Sequence, residues 1–274
     1  MTDDRISIGV QGLDEMLGGG IIRRRPYVIS GTTGSGKTML SIQFLQQGVR
    51  HGERSLLVAI DEPPSEIREN VRALGWDVGK IRILDAHPSA KAYSKRVSLV
   101  EVAAQRAVGP LMEAATGAAR ADAMKKASPD LSIQSLQLML QQELQDSKYT
   151  RVVIDSLTSL KKLSESMGDT SVAIRSLLRY LSESGVTSLV ITDIPDPTEL
   201  EPEMFICRGE IRLHKQLAMG KIDRCVTIEK LRGSAHDMYP RPVAITEKGI
   251  SVDPRRRIAR SLLKELQGFT HSPR

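Results

Sequence analysis

Gly31-Thr32-Thr33-Gly34-Ser35-Gly36-Lys37-Thr38 is the stretch whose reading decides how this chain folds. Two glycines five positions apart, followed by Lys and Thr, form the phosphate-binding loop pattern, whose consecutive backbone N–H groups turn inward to hold phosphate oxygens. Gly31, Gly34 and Gly36 admit turns that a Cβ would obstruct. Lys37 is expected to reach the β- and γ-phosphates, and the Thr38 hydroxyl to ligate Mg²⁺. The flanks agree with this reading. Tyr27-Val28-Ile29 is a short β-prone run leading in, and Met39 to Val49 leads out with Leu40, Phe44 and Leu45 near helical spacing. Strand, loop and helix in that order place the phosphates at a helix N-terminus, where unpaired N–H groups and the macrodipole favour negative charge. The expected nucleotide-binding stretch therefore runs through Thr32, Thr33, Gly34, Ser35, Gly36, Lys37, Thr38 and Met39.

Composition narrows the function classes. With 274 residues the chain can form one large α/β domain with a substantial core. Aromatic residues make up 3%, which removes base stacking on aromatic platforms as a main binding mode. Cys207 and Cys225 are too few for a disulfide framework and match no zinc spacing, so both read as plain thiols in a reducing compartment. Met1-Thr2-Asp3-Asp4 lacks a basic or apolar leader, and no run of about 18 apolar residues occurs, so a soluble, cytoplasmic protein without a membrane partner is expected. The net charge of +6 is unevenly placed: Lys91 to Lys126 carries +4, Asp253 to Arg274 another +4, and the remainder −2. An acidic partner or nucleic acid would thus meet an inserted segment or the tail, not the nucleotide core.

Residues 5–22 contain a short helical turn ended by Gly18-Gly19-Gly20. Just ahead of the phosphate loop, this lead-in resembles the opening of the RecA-like family that includes the KaiC-like and RadA-like ATPases. Arg23 to Arg25 read as a solvated turn, with contact to nucleotide or nucleic acid as the other option. Ser55 to Ile60 is a continuous apolar run suited to a buried parallel strand, expected beside the phosphate-loop strand, and it ends at Asp61-Glu62-Pro63-Pro64. Carboxylates there would lie in the ligand crevice, where a base orients water on a γ-phosphate. Asp61 to Asp77 resembles the acidic pair and Pro-rich helix start of KaiC-like proteins, which implies Asp61 or Glu62 as the water-orienting acid; capping of the next helix is the alternative for one of them. Ile67, Val71 and Leu74 line one helix face, Gly75 suits its C-cap, and Trp76 reads as a packing anchor.

Residues 86–129 exceed the connection that this family implies and read as a basic helical insertion around Gly109-Pro110. A mobile lid, a partner surface, a basic arm and an inert solvated insertion all fit it. Asp130 to Gln145 resumes a helix, and Val152-Val153-Ile154-Asp155 runs apolar residues into a carboxylate, the second nucleotide motif; Asp155 would support Mg²⁺. Ser171 to Glu183 is expected to be helical and Leu189 to Thr192 a strand. The following loop, Asp193 to Arg208, holds Asp193, Asp196, Glu199, Glu201 and Glu203 against one Arg, which disfavours strand-exchange chemistry on DNA. Met204 and Phe205 fall near the autophosphorylation sites of KaiC, so autokinase activity is not expected.

Val226-Thr-Ile-Glu-Lys-Leu-Arg-Gly-Ser-Ala-His236 resembles the segment that KaiC-like rings place at the subunit interface. The resemblance implies Lys230, Arg232 and His236 as groups acting on the neighbour's nucleotide, Lys230 and Arg232 on the chemistry. Without the resemblance, the Lys and Arg read as solvated and the lone His as structural. Val243 to Asp253 reads as a closing hairpin turning at Lys248-Gly249, and Asp253-Pro254 as the start of a basic amphipathic helix.

Together these readings predict a RecA-like P-loop α/β core with a mostly parallel central sheet, a C-terminal β-hairpin and a helical insertion. Residues 1–253 form the ATPase domain, interrupted by 86–129, and 254–274 form the helical tail. The resemblance implies a slow, Mg²⁺-dependent ATPase that forms a ring of six subunits and regulates a protein partner. A DNA-recombination accessory ATPase is the runner-up, and a nucleotide-bound scaffold without hydrolysis the third option.

Overall fold

The computed structural model describes residues 4–87, 131–146, 148–164, 170–194, 200–218 and 220–258. A nine-stranded sheet organises them, in the order β11-β10-β9-β8-β3-β7-β6-β4-β5. The strands are β3 (Pro26–Gly31), β4 (Ser55–Ala59), β5 (Arg82–Asp85), β6 (Arg151–Asp155), β7 (Thr187–Asp193), β8 (Gly209–Ala218), β9 (Lys221–Leu231), β10 (Arg241–Thr246) and β11 (Gly249–Val252). The six strands from β5 to β8 run parallel, while β8, β9, β10 and β11 pair antiparallel in succession. This is the α/β fold with a mostly parallel sheet that the motif order predicts. β1 (Arg5–Ile6) and β2 (Ile21–Ile22) form a small separate ribbon.

Helices cover both faces. On one lie α2 (Lys37–Arg50) and α3 (Pro64–Ala73), with Leu40, Phe44, Leu45, Ile67 and Val71 buried. On the other lie α4 (Ile133–Asp146), α5 (Leu157–Ser164) and α6 (Thr170–Glu183), which bury Leu136, Leu160, Leu177 and Leu181. The lead-in does more than precede the loop. Ile8, Val10 and Leu13 are fully or almost fully buried, and Asp14, on α1 (Leu13–Met16), accepts hydrogen bonds from Ser7 Oγ and the Ile8 N–H. Arg151, 2% exposed, ties this region together: it pairs with Glu53, donates to the Ser7 and Phe44 carbonyls, and lies 4.6 Å from the Phe44 ring centroid.

Three expectations are corrected. β4 is not beside the phosphate-loop strand, because β7 and β6 stand between them. Both are apolar on both faces, and only central positions bury both. The closing hairpin turns at Glu247-Lys248, with Gly249 already paired to Thr246. No helix starts at Pro254: the Asp253 carboxylate accepts the N–H groups of Arg255 and Arg256, and the chain bends toward Ile258, which is buried. The tail from 259 onward and the insertion, apart from Ala86 and His87, lie outside the described residues.

Trp76 packs as an anchor. α3 ends with Gly75 N–H on the Arg72 carbonyl and Trp76 N–H on that of Val71, the paired bonds of a Schellman cap. The indole then lies against Gly249, where an added Cβ would come within 2.6 Å of it and where φ is +105°. Gly249→Ala is therefore expected to destabilise the protein by about 2–4 kcal/mol, read from urea unfolding.

His214, on β8, is held by Thr227 Oγ1 at 2.8 Å, and burial pushes its pKa down to about 4. The unfolded chain takes up this proton near pH 6.5 and the folded one only near pH 4, so stability falls as pH drops through that window. The loss should be on the order of 2–3 kcal/mol, and His214→Gln should remove it from the pH profile of unfolding.

Candidate active site

The loop Gly31 to Gly36 turns from β3 into α2 with no side chain among the described residues capping the helix, which leaves its first N–H groups, at the cleft-lining residues Lys37 to Met39, open to an anion. Gly31 is required at the turn: φ is +142°, and a Cβ would meet the Leu213 carbonyl at 2.1 Å. Lys37, 6% exposed, folds back along the loop. Its Nζ donates to the carbonyls of Gly31 and Thr32, both at 2.9 Å, and pairs with Asp193 at 2.6 Å. Thr38 Oγ1 donates to Asp155 Oδ2 at 2.8 Å, joining the two nucleotide motifs.

Asp155 ends β6, and its pKa is raised to about 7. Burial is the main cause, with added repulsion from Asp61 and Glu62; Thr38 and Lys37 oppose the rise. Asp61 and Glu62 are exposed beyond the end of β4, and Glu62 Oε2 accepts from Asn70 at 3.3 Å. A cleft of about 470 Å³ gathers Thr33, Gly34, Gly36, Lys37, Thr38, Met39, Asp61, Glu62 and Asp155. The loop hydroxyls of Thr32 and Ser35 are buried without hydrogen-bond partners among the described residues.

These features fit a polyphosphate. The loop offers N–H groups, an amino group and unpaired hydroxyls to an oxygen-rich ligand. The residues also fit Mg²⁺ of the kind held mostly by water and phosphate: Thr38 and Asp155 supply hard oxygen donors, and no cluster of three His, Cys, Asp or Glu ligands occurs among the described residues.

Lys230, Arg232 and His236 do not line this cleft. β9 runs antiparallel to β8, so its final residues reach the opposite edge of the sheet, where Arg232 N–H bonds the Arg208 carbonyl and Arg208 N–H that of Pro26. From Pro26 to Gly31 the strand rises about 17 Å. Lys230 Nζ donates to the Met204 carbonyl there, and an Arg232 Nη to that of Phe205 at 2.6 Å. His236 Nδ1 is buried with no hydrogen-bond partner among the described residues, and the N–H of its neighbour Asp237 donates to the Met16 carbonyl of the lead-in. Arg23 to Arg25 precede β3 at this same far edge, away from the loop.

Three residues with roles at the site escaped the sequence reading. Asp193 ends β7 as Asp155 ends β6, and the apolar run Leu189-Val190-Ile191 leading into it was the available signal. Lys215 donates to the Thr33 carbonyl at 2.7 Å and Arg224 to that of Gly34 at 3.3 Å. These two are register partners across β8 and β9, which no local pattern reveals. Conversely, Glu203 is not part of an acidic loop surface. It is fully buried and paired with Lys161.

No helix among the described residues is long and apolar enough to cross a membrane. Comparison with known proteins agrees with the fold and the motifs. The family model described as the KaiC ATPase matches residues 6–257. The UPF0273 protein of Aeropyrum pernix is 30% identical, over 92% of this chain and 94% of its own length. That of Pyrococcus horikoshii is 31% identical over 96% and 99%. The circadian clock oscillator protein KaiC 1 of Synechocystis is 30% identical over 91% of this chain but 44% of its own length, so the chain spans less than half of that protein. The crystal structure of a KaiC-like protein from Pyrococcus horikoshii superposes with a TM-score of 0.66 at 24% identity, covering 91% of this chain and 99% of that one, and speaks for the fold alone. The loop, the strand-end carboxylates and this match make the chain a member of the KaiC ATPase family, a KaiC-like ATPase of the RecA superfamily.

Proposed function

We propose that the protein is a slow, Mg²⁺-dependent ATPase, active as a ring of six subunits in a reducing cytoplasm, that switches a regulatory protein partner. The observation that carries this reading is the separation of Lys37 and Arg232 to opposite edges of the sheet, about 17 Å apart along the strand direction. A chain built this way holds phosphates at one edge and offers cations at the other, so head-to-tail packing of copies completes each site. Phe205, 58% exposed beside Arg232, gives the cationic edge an apolar contact group.

Within the site, the loop N–H groups and Lys37 bind and orient the phosphates. Thr38 and Asp155 would hold the metal, which would supply positive charge against the phosphates. Asp61 or Glu62 orients the attacking water, and Lys230 and Arg232 of the adjoining copy stabilise charge on the phosphoryl group, with His236 contacting the nucleotide. Met204 and Phe205 carry no hydroxyl, which argues against an autokinase. The buried free thiols of Cys207 and Cys225 suit a reducing compartment.

The test is phosphate release from ATP against protein concentration, with and without DNA. Specific activity should rise as subunits assemble and ignore DNA. Turnover independent of concentration would overturn the ring, and strong DNA stimulation would favour a recombination accessory role through the basic insertion or tail.

A further inference from the structure

The short helix α7 (Pro202–Ile206) joins the two edges through its side chains and carbonyls: Glu203 meets Thr192 beside Asp193, and the Met204 carbonyl meets Lys230. Its late carbonyls have no intrahelical partners and carry partial negative charge, a natural rest for cations. Those of Met204 and Phe205 receive Lys230 and Arg232. What fixes the helix is Glu203. Its carboxylate is 0% exposed, and Oε1 accepts both Thr192 Oγ1 and Lys161 Nζ at 2.7 Å. Lys161 also donates at 2.7 Å to Oε2 of Glu201, the residue just before α7, so α5 grips both the helix and its start. Thr192 belongs to β7, one residue before the Asp193 that holds Lys37.

A buried carboxylate is a poor way to gain stability, since an apolar side chain of similar size fills the same space without desolvation cost. Glu203 even leaves Oε2 without a hydrogen-bond partner among the described residues. What the ion pair supplies and an apolar residue does not is direction. Two bonds converging on one oxygen set the rotation and height of α7 against β7 and α5, and with them the two carbonyls on which the cations rest.

We propose that Glu203 is a positioning residue for Lys230 and Arg232, holding α7 so that both cations are presented to the nucleotide of the adjoining subunit. This rests on the reading that these cations act across the interface. Glu203 itself touches neither nucleotide nor reacting atoms.

The test uses full-length subunits in mixed assemblies. When Lys37→Ala subunits are mixed with Arg232→Ala subunits, only sites joining an intact Lys37 to a neighbour's intact Arg232 are competent. Glu203→Gln is added first to the Lys37→Ala subunit, which donates the cations, and then instead to the Arg232→Ala subunit, which binds the phosphates. In the donor, it should lower kcat by about tenfold or more at unchanged KM for ATP. In the phosphate-binding subunit it should leave both within about twofold, a split that general destabilisation would not produce. A loss that follows the phosphate-binding subunit, an equal loss in both placements, or no loss overturns the proposal. If the parent mixture is inactive, the trans reading itself fails and takes this inference with it. Should Glu203→Gln not fold, Thr192→Val removes one of the two converging bonds and is read in the same two placements.

Discussion

Lys37→Ala is expected to lower ATP turnover by about 10²–10³-fold, the scale of removing one preorganised donor from developing charge. Lys37 is almost fully buried, and its amino group already lies among three oxygens, the Gly31 and Thr32 carbonyls and the Asp193 carboxylate. With phosphates in the loop, the same group has a stronger partner within reach and needs little reorganisation to meet it. Alanine supplies no cation, and no other Lys, Arg or His among the described residues lines the cleft except Arg224, which donates to the Gly34 carbonyl from β9. The fold should survive. Lys37 begins α2, where a cation opposes the helix dipole, and Asp193 is 32% exposed, so water can take over its hydrogen bonds. Phosphate release and thermal unfolding, measured on the same preparation, check both halves: a variant within tenfold of wild type would remove Lys37 from the chemistry.

Arg232→Ala is expected to lower turnover by a comparable or larger factor, about 10³-fold, as for a cation delivered to a phosphoryl group across an interface. Nucleotide affinity should change little, because Arg232 lies at the far edge of its own subunit, on the Phe205 carbonyl. Equimolar mixing with Lys37→Ala subunits should then recover activity from two inactive proteins. In head-to-tail rings assembled at random, about a quarter of the interfaces join an intact Lys37 to an intact Arg232. Absence of recovery, with assembly verified by light scattering, would mean that Arg232 does not act in trans.

Much of the site was legible because its chemistry is local. The phosphate loop occupies consecutive residues, and Asp155 announces itself as a carboxylate closing an apolar run. Asp193 carries the same signature, yet its meaning depends on β7 pairing with β3, which sets it opposite Gly31. The expectation that β4 adjoins β3 followed chain order, whereas burial set the actual order by drawing β6 and β7 into the centre. Asp253-Pro254 carries the local signal of a helix start, yet the residues through Ile258 bend along the domain, because burying Ile258 outweighs local propensity.

By itself, then, the sequence determined the strand-loop-helix unit, the continuous apolar strands of a parallel sheet and the acids that close them, all of which are written in neighbouring residues. Only the tertiary structure decided which strands touch. Pairing depends on two-sided burial and on register between distant segments, so it alone brings Asp193 to Lys37, sets Lys215 and Arg224 over the loop, and carries Lys230 and Arg232 to the opposite edge. It also turned Glu203 from one acid among several in an apparent surface loop into the buried anchor of α7, since a carboxylate's partners lie in space and not in the residues beside it.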